Sequence, residues 1–345
     1  MLRLLSRLYD EAAWRRRQWY ARRPDARRPD ARRRLSRPVI SVGALAAGGS
    51  GKTPLTAHVA RTLVAMGERP AVLSRGFGRA DPVDGVVVVR NTERVVGDLA
   101  TAGDEPWMLA QALDGVAVVV AADRYLAGRL AETHLGATVH LLDDGFQHFQ
   151  LERGTDLLLV SPADLDDPVL LPGGRLRERL ATARYADAVL VVDGSDDRRA
   201  WVAERLGLSR CFDVRRHVGA AAVALPHPGP AELGPSARVL AVAGIARPEQ
   251  FFDDVRDAGF DVVRTLVFRD HHRYSSRDAA RMQAEARTAR AQAILTTEKD
   301  GVRLQAWLPF EPPLATVPLT LHVEPADEFQ AFLADRLAAE RSSAA

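Results

Sequence analysis

The sequence predicts an α/β protein: a parallel sheet covered by helices on both faces, a smaller α/β domain after it, and a basic amphipathic helix ahead of it. Short apolar runs alternate with helix-length runs from residue 38 onward, as strands buried on both faces and their crossover helices do. The rhythm loosens over residues 210–236, where PHPGPAELGP (226–235) reads as a linker, and then resumes. The first 20 residues place apolar and arginine positions on different sides of one helix. The expected organisation is an arm over 1–37, a main domain over 38–225 and a second domain over 236–345, with a substrate enclosed in the cleft between the last two.

Taken in order, MLRLLSRLYDEAAWRRRQWY gathers Met1, Leu4, Leu5, Leu8, Tyr9 and Ala12 on one side, with Arg3, Arg7, Asp10, Glu11 and Arg17 mostly elsewhere. Trp14, Trp19 and Tyr20 add amphipathic rings. Such a helix either lies in a membrane surface or packs on the protein's own core. ARRPD-ARRPD-ARRR (21–34) is a tandem repeat broken by Pro24 and Pro29. Strands are expected at 38–43, 71–75, 86–89, 116–122, 139–144, 156–162 and 187–193, with helices at 55–67 and 104–113. The second domain offers strands at 238–244, 261–268 and 293–298, and helices near 248–258, 276–290 and 327–340.

Composition bounds the class. The chain has 345 residues, 47% hydrophobic and 27% charged, and so folds around a sizeable core. Its one cysteine, Cys211, excludes an internal disulfide framework and reads as a core or half-buried thiol. No run of about 18 apolar residues occurs, so no spanning helix is expected, and no secretory signal is expected. Residues 1–38 hold thirteen arginines against four acids, a charge of +9, which leaves −7 for the rest of a chain whose net charge is +2. A basic arm on a mildly acidic body suits an anionic partner. Of 47 basic residues only Lys52 and Lys299 are lysines. An ammonium is a point charge where a guanidinium is a fork, so both lysines are candidates for roles that arginine cannot fill.

The strongest motif is GALAAGGSGKTP (43–54), between a buried strand and a helix. That is the setting of a phosphate loop. Backbone N–H groups of Gly48, Gly49, Ser50, Gly51 and Lys52 would cradle phosphate oxygens at a helix N-terminus. Lys52 would reach the β- and γ-phosphates of a nucleotide and the Thr53 hydroxyl would bind Mg²⁺. Ala46 stands where the usual pattern has its first glycine.

A phosphate-loop enzyme needs a carboxylate at the tip of a neighbouring strand, and HLLDDGFQH (140–148) supplies Asp143 and Asp144, with Gln147 and His148 in the loop beyond. The plainer alternative is an Asp-Asp-Gly turn. In TAGDEP (101–106), Asp104 and Glu105 either favour a helix N-terminus by their charge or stand near the γ-phosphate, Asp104 as base for an acceptor hydroxyl or metal ligand. In FRDHHRY (268–274), Asp270, His271 and His272 offer either a metal site or a histidine that pairs with a catalytic aspartate. LTTEKDGVRL (295–304) ends a strand with Glu298, Lys299 and Asp300. Glu298 replaces the asparagine of the guanine-reading motif, which argues against a GTPase.

Eight segments in order resemble the tetraacyldisaccharide 4'-kinase (lipid A 4'-kinase) family: SVGALAAGGSGKTP, LSRGFGR (73–79), AGDEP (102–106), DDGFQH (143–148), LPGGRLRE (171–178), AGIARPEQFF (243–252), FRDHHRY and LTTEKDGVRL. The resemblance runs from about residue 39 to 304. It implies a RecA-like P-loop NTPase domain with a smaller α/β domain. It also implies Mg²⁺-ATP as phosphoryl donor, and the 4'-hydroxyl of a tetraacylated glucosamine disaccharide 1-phosphate, held in the membrane, as acceptor. The family setting is the cytoplasmic face of a bacterial inner membrane, where the basic helix would meet anionic lipid as a peripheral anchor. By resemblance, Asp104 and a DHH histidine activate the hydroxyl, with His271 first and His272 second. Arg177 stabilises phosphate charge, Thr53, Asp143, Asp144 and Glu105 surround the metal, and Arg75, Phe77, Gln147 and His148 lie toward the acceptor. Phe77 stands where the family often has tyrosine, and Gly174-Arg175 where it commonly has Gly-Pro.

Three other classes compete: a soluble kinase of a small metabolite, a nucleic-acid-dependent ATPase using the arginine repeat, and a non-enzymatic membrane module. No base-stacking aromatic platform supports the second, and the intact phosphate loop argues against the third. The expectation is a monomer without a nucleic-acid partner.

Overall fold

The structure, a computed structural model, describes residues 2–21, 32–49, 51–81, 83–224 and 232–343. Ser50 and most of the arginine repeat and of the expected linker lie outside the described residues. The strands are β1 (Val39–Ala44), β2 (Pro70–Ser74), β3 (Val87–Arg90), β4 (Ala117–Val120), β5 (Val139–Asp143), β6 (Thr155–Val160), β7 (Ala188–Val192), β8 (Cys211–Val218), β9 (Ala221–Val223), β10 (Glu232–Leu233), β11 (Arg238–Ala243), β12 (Asp261–Val267), β13 (Ala293–Thr297), β14 (Leu314–Val317) and β15 (Leu319–Glu324). The helices are α1 (Leu2–Ala21), α2 (Lys52–Ala65), α3 (Leu99–Ala102), α4 (Asp104–Ala112), α5 (Arg124–His134), α6 (Pro162–Asp166), α7 (Asp196–Leu206), α8 (Pro248–Asp257), α9 (Ser276–Thr288), α10 (Glu298–Leu304) and α11 (Ala326–Ser342).

Two compact units result, residues 1–216 with 321–345, and residues 217–320. The first holds a nine-stranded sheet in the order β15-β8-β7-β6-β1-β5-β2-β4-β3. β1 lies at its centre, parallel to β5 and β6, and all six of its residues are buried. This is why VISVGA is apolar but for the small Ser41. α2 lays Leu55, Val59, Ala60 and Leu63 on one face of the sheet, at the spacing of a helical stripe. α5 covers the other face with Ala127 and Ala131. The sheet is not wholly parallel as expected: β3 runs antiparallel to β4 at the edge.

The unit boundaries correct the expected second domain of 236–345. The chain enters the second unit within β8 and leaves it within β15, so the last 25 residues belong to the first. β15 joins the large sheet beside β8, and Phe329, Phe332, Leu333 and Leu337 of α11 are buried in its core. Phe212 meets Phe329 and Phe332 at ring-centroid distances of 5.2 and 5.8 Å. The second unit carries a six-stranded sheet, β10-β9-β14-β13-β11-β12, with β11 to β14 mutually parallel. α8 buries Phe251, Phe252 and Val255 in one of its apolar clusters, and α9 buries Met282 and Ala286 in another.

α1 is a helix as expected, but its supposed polar flank is not solvated throughout. Arg17 is buried, while Leu2, Leu4, Leu5 and Leu8 are exposed at 56%, 63%, 43% and 62%.

Candidate active site

The loop after β1 turns at three glycines in the left-handed region, Gly48, Gly49 and Gly51, with φ of +69°, +42° and +83°. A side chain would be strained there. Gly51 is the N-cap of α2 and supplies no side-chain cap, so the helix presents its N-terminal N–H groups and dipole to the loop, as an anion site requires. Ala46 needs no glycine. It bridges to Leu176 in a short antiparallel ladder, where Ala47 N–H donates to Arg175 O at 2.8 Å and Arg177 N–H to Leu45 O at 2.7 Å.

Lys52 and Thr53 open α2. Lys52 is 12% exposed, and its Nζ lies 3.7 Å from Asp144 Oδ1. Burial lowers its pKa, against the raising pull of Asp144. Asp143 ends β5 and accepts a hydrogen bond from Thr56 Oγ1 at 3.1 Å. Burial, then the nearby Asp144 and Glu105, push its carboxyl up to about 7. Asp144 follows at φ +54°, a conformation that aspartate tolerates better than most residues. Burial would raise its pKa, but Lys52 and Arg177 outweigh that and hold it low. Gly43 lets the DDGFQH loop close over β1, because a Cβ there would stand 2.5 Å from Phe146 Cβ.

Segment 170–179 forms one wall. Arg177 Nη1 donates to both carboxylate oxygens of Asp144 at 2.7 Å and lies 3.3 Å from Gln147 Oε1. Gln147 Nε2 donates to Ala44 O at 3.1 Å and to Glu178 Oε2 at 3.4 Å. Arg175 Nη2 donates to Ala47 O and Gly48 O at 3.3 and 3.2 Å, pinning the glycine turn from outside.

The loop after β2 carries Arg75 and Phe77, and α4 begins at Asp104 and Glu105. Two glycines let these segments touch. A Cβ on Gly76 would lie 2.9 Å from Ala102 O, and one on Gly103 would lie 2.8 Å from Phe77 O. Phe77 itself is 64% exposed. Glu105 raises the pKa of both Lys52 and Asp143, which ties the start of α4 electrostatically to the phosphate loop. His148 is driven down to about 3 by burial and then by Arg124 and Arg153, and so stands neutral.

Arg124 is the site residue that the sequence expectations missed. It opens α5 just past the C-terminal end of β4 and is buried. Burial and then Arg75 lower it to about 10, against Asp144 and Asp143. Its signal was position: an arginine two residues beyond the apolar run VAVVVAA, at the strand end where α/β sites form.

His271 and His272 stand in the second unit, past the end of β12. His271 has φ +57°, with Nε2 3.2 Å from Lys299 Nζ and Nδ1 3.2 Å from Arg303 Nη2. His272 turns elsewhere: its Nε2 lies 3.1 Å from Asp278 Oδ2, the capping-box carboxylate of α9, and its ring stacks on Phe268. Among the described residues no three His, Cys, Asp or Glu side chains are grouped as a metal cage.

An α/β enzyme that handles phosphate is the class defined by this fold and this charge arrangement. Residues 1–338 match the model of the Tetraacyldisaccharide-1-P 4'-kinase family, and the chain belongs to that family. Similar relatives named tetraacyldisaccharide 4'-kinase occur in Geobacter metallireducens, 42% identical over 278 residues covering 78% of this chain and 79% of the relative. Another, in Koribacter versatilis, is 40% identical over 299 residues covering 85% and 87%. The crystal structure of "apo" form LpxK from Aquifex aeolicus in complex with ATP matches with a TM-score of 0.71 at 27% identity, over 96% of this chain and 97% of that one. The chain is accordingly a kinase of lipid A biosynthesis.

Proposed function

We propose that this kinase transfers the γ-phosphate of ATP to the 4'-hydroxyl of tetraacyldisaccharide 1-phosphate at the phosphate loop between β1 and α2. The observation that carries the reading is the convergence of Lys52 and Arg177 on Asp144 beside the Gly48–Gly51 turn. The N–H groups of that turn and the Lys52 ammonium hold the β- and γ-phosphates. Arg177 and Arg124 face the charge that shifts during transfer. Asp104 takes the proton of the acceptor hydroxyl, with His271 as its partner in proton transfer. Arg75, Phe77, Gln147 and His148 lie toward the acceptor.

The donor set fits Mg²⁺, which needs only one or two carboxylates beside phosphates and waters. The buried Asp143, crowded by Asp144 and Glu105, would hold it together with those two acids and Thr53 at the opening of α2. When bound it neutralises phosphate charge.

The exposed leucines of α1 seat the enzyme on the cytoplasmic face of the inner membrane, with nearby arginines meeting anionic lipid. No described helix is long and apolar enough to cross a membrane. The enzyme acts as a monomer without nucleic acid. Labelled ATP, Mg²⁺ and tetraacyl disaccharide 1-phosphate in mixed micelles test the reading, beside Lys52→Ala. Label reaching the lipid only with the parent chain supports it. ATP hydrolysis without transfer points to a different acceptor.

A further inference from the structure

We propose that Arg17 of α1 is a positioning residue for phosphoryl transfer, so that the amphipathic helix sets the catalytic wall as well as meeting the membrane. Arg17 and Glu178 form a bidentate pair, Nε to Oε1 at 2.9 Å and Nη2 to Oε2 at 2.6 Å, with side chains 5% and 3% exposed. The guanidinium lies over Phe146, Phe149 and Tyr185 at 4.6, 4.7 and 4.9 Å and reaches Phe146 O at 3.4 Å. From Glu178 the contacts run inward. Its Oε2 accepts from Gln147 Nε2, Gln147 Oε1 accepts from Arg177, and Arg177 holds Asp144 beside Lys52.

Further contacts seat α1 on the same wall. Ser6 Oγ donates to Leu170 O at 2.9 Å and accepts from Gly173 N–H at 3.0 Å. Asp10 pairs with Arg179 at 2.9 Å, and Arg179 stacks on Trp14. A helix serving only as an anchor requires none of this; its exposed leucines suffice. A buried ion pair adds little stability over a well-packed apolar pair of the same volume. What the charged pair adds is direction, since Glu178 can orient the Gln147 amide, and through it Arg177, only while Arg17 holds its carboxylate.

The inference rests on the reading of Arg177 and Asp144 as groups that serve the transferred phosphate. Arg177→Ala is therefore assayed first, and parental turnover in that variant would fault the site reading, not the role of Arg17. With the site reading standing, Arg17→Met is expected to lower kcat by about tenfold to a hundredfold at saturating ATP and lipid, with the lipid KM within about threefold. Arg17→Lys, which keeps the charge but loses the fork, recovers part of kcat. Arg17→Met leaves Glu178 buried without its ion-pair partner and is the variant that can fail to fold. The double variant Arg17→Met/Glu178→Leu replaces the pair by apolar packing, and its kcat is expected to stay low at a parental melting temperature. Parental kcat in the folded double variant, or a loss confined to lipid KM and vesicle binding, overturns the proposal.

Discussion

Arg177 places a single guanidinium nitrogen 2.7 Å from each carboxylate oxygen of Asp144, while Lys52 approaches the same carboxylate to 3.7 Å. Two cations from distant parts of the chain thus meet one acid beside the glycine turn. Asp143 and Glu105 act on the same lysine. Replacing Arg177 by lysine keeps the charge and loses the planar fork. Arg177→Lys is expected to lower kcat by about 10²-fold, with a smaller effect on ATP affinity. Steady-state kinetics at saturating lipid check it, and a kcat within threefold of the parent would remove Arg177 from the transfer step.

The approach of the loop after β2 to the start of α4 depends on Gly103. Its φ of +85° and the 2.8 Å between a built Cβ and Phe77 O leave no room for alanine. Gly103→Ala is expected to cost about 1–3 kcal/mol of stability and to displace the start of α4, where Asp104 and Glu105 stand. Turnover should fall at least about tenfold. A variant with parental melting temperature and turnover would show that α4 tolerates the displacement.

Position 46 offers the converse case. Ala46 sits in an extended ladder with Leu176 and is 3% exposed, so the glycine of the common phosphate-loop pattern would bring only chain entropy here. Ala46→Gly is expected to lose about 0.5–1 kcal/mol, seen as a lower denaturation midpoint. An increase in stability would mean that the alanine is strained.

The strands at the centre of the large sheet were legible because burial on two faces favours apolar residues, as in VISVGA and VHLLD, where Ser41, His140 and Asp143 are the buried polar exceptions. α5 was not. Its buried stripe consists of Ala127, Gly128 and Ala131, small residues that carry little periodic signal. β8 and β15 escaped because CFDVRRHV and LTLHVE mix exposed polar with buried apolar positions. Their pairing returns the C-terminus to the first unit, across more than 100 residues of intervening chain. In the site, local motifs gave the phosphate loop and the Asp143–Asp144 pair. Arg124 and Arg17 lack a motif of their own: Arg124 is defined by the strand it follows, and Arg17 by Glu178, 161 residues away.

Asp104 and His271 lie in different units of the chain, so their proposed partnership is tested by kinetics. Asp104→Asn and His271→Ala are each expected to lower kcat by about 10²–10⁴-fold. Residues that share one proton transfer are non-additive, so the double variant should be no slower than the worse single variant. Multiplying losses would mean that the two act on separate steps.

The Val323 N–H donates to His58 Nε2 at 3.3 Å, joining α2 to β15. That bond needs an unprotonated nitrogen. Burial, then His322 and Arg61, lower the His58 pKa from 6.5 to about 4, and its ring stacks on Phe329. The unfolded chain therefore binds a proton at His58 more readily than the folded one. The contribution is complete above about pH 6.5 and is lost as pH falls toward 4, because stability rises with pH wherever the unfolded state holds more protons. Between pH 7.5 and 5 the loss from this group is on the order of 2 kcal/mol. The phosphate-loop helix and the C-terminal segment should loosen together in that window. His58→Gln can keep an acceptor for Val323 without a titrating group, and should flatten the fall in melting temperature between pH 7.5 and 5. An equal slope in the variant would assign the acid sensitivity to other groups.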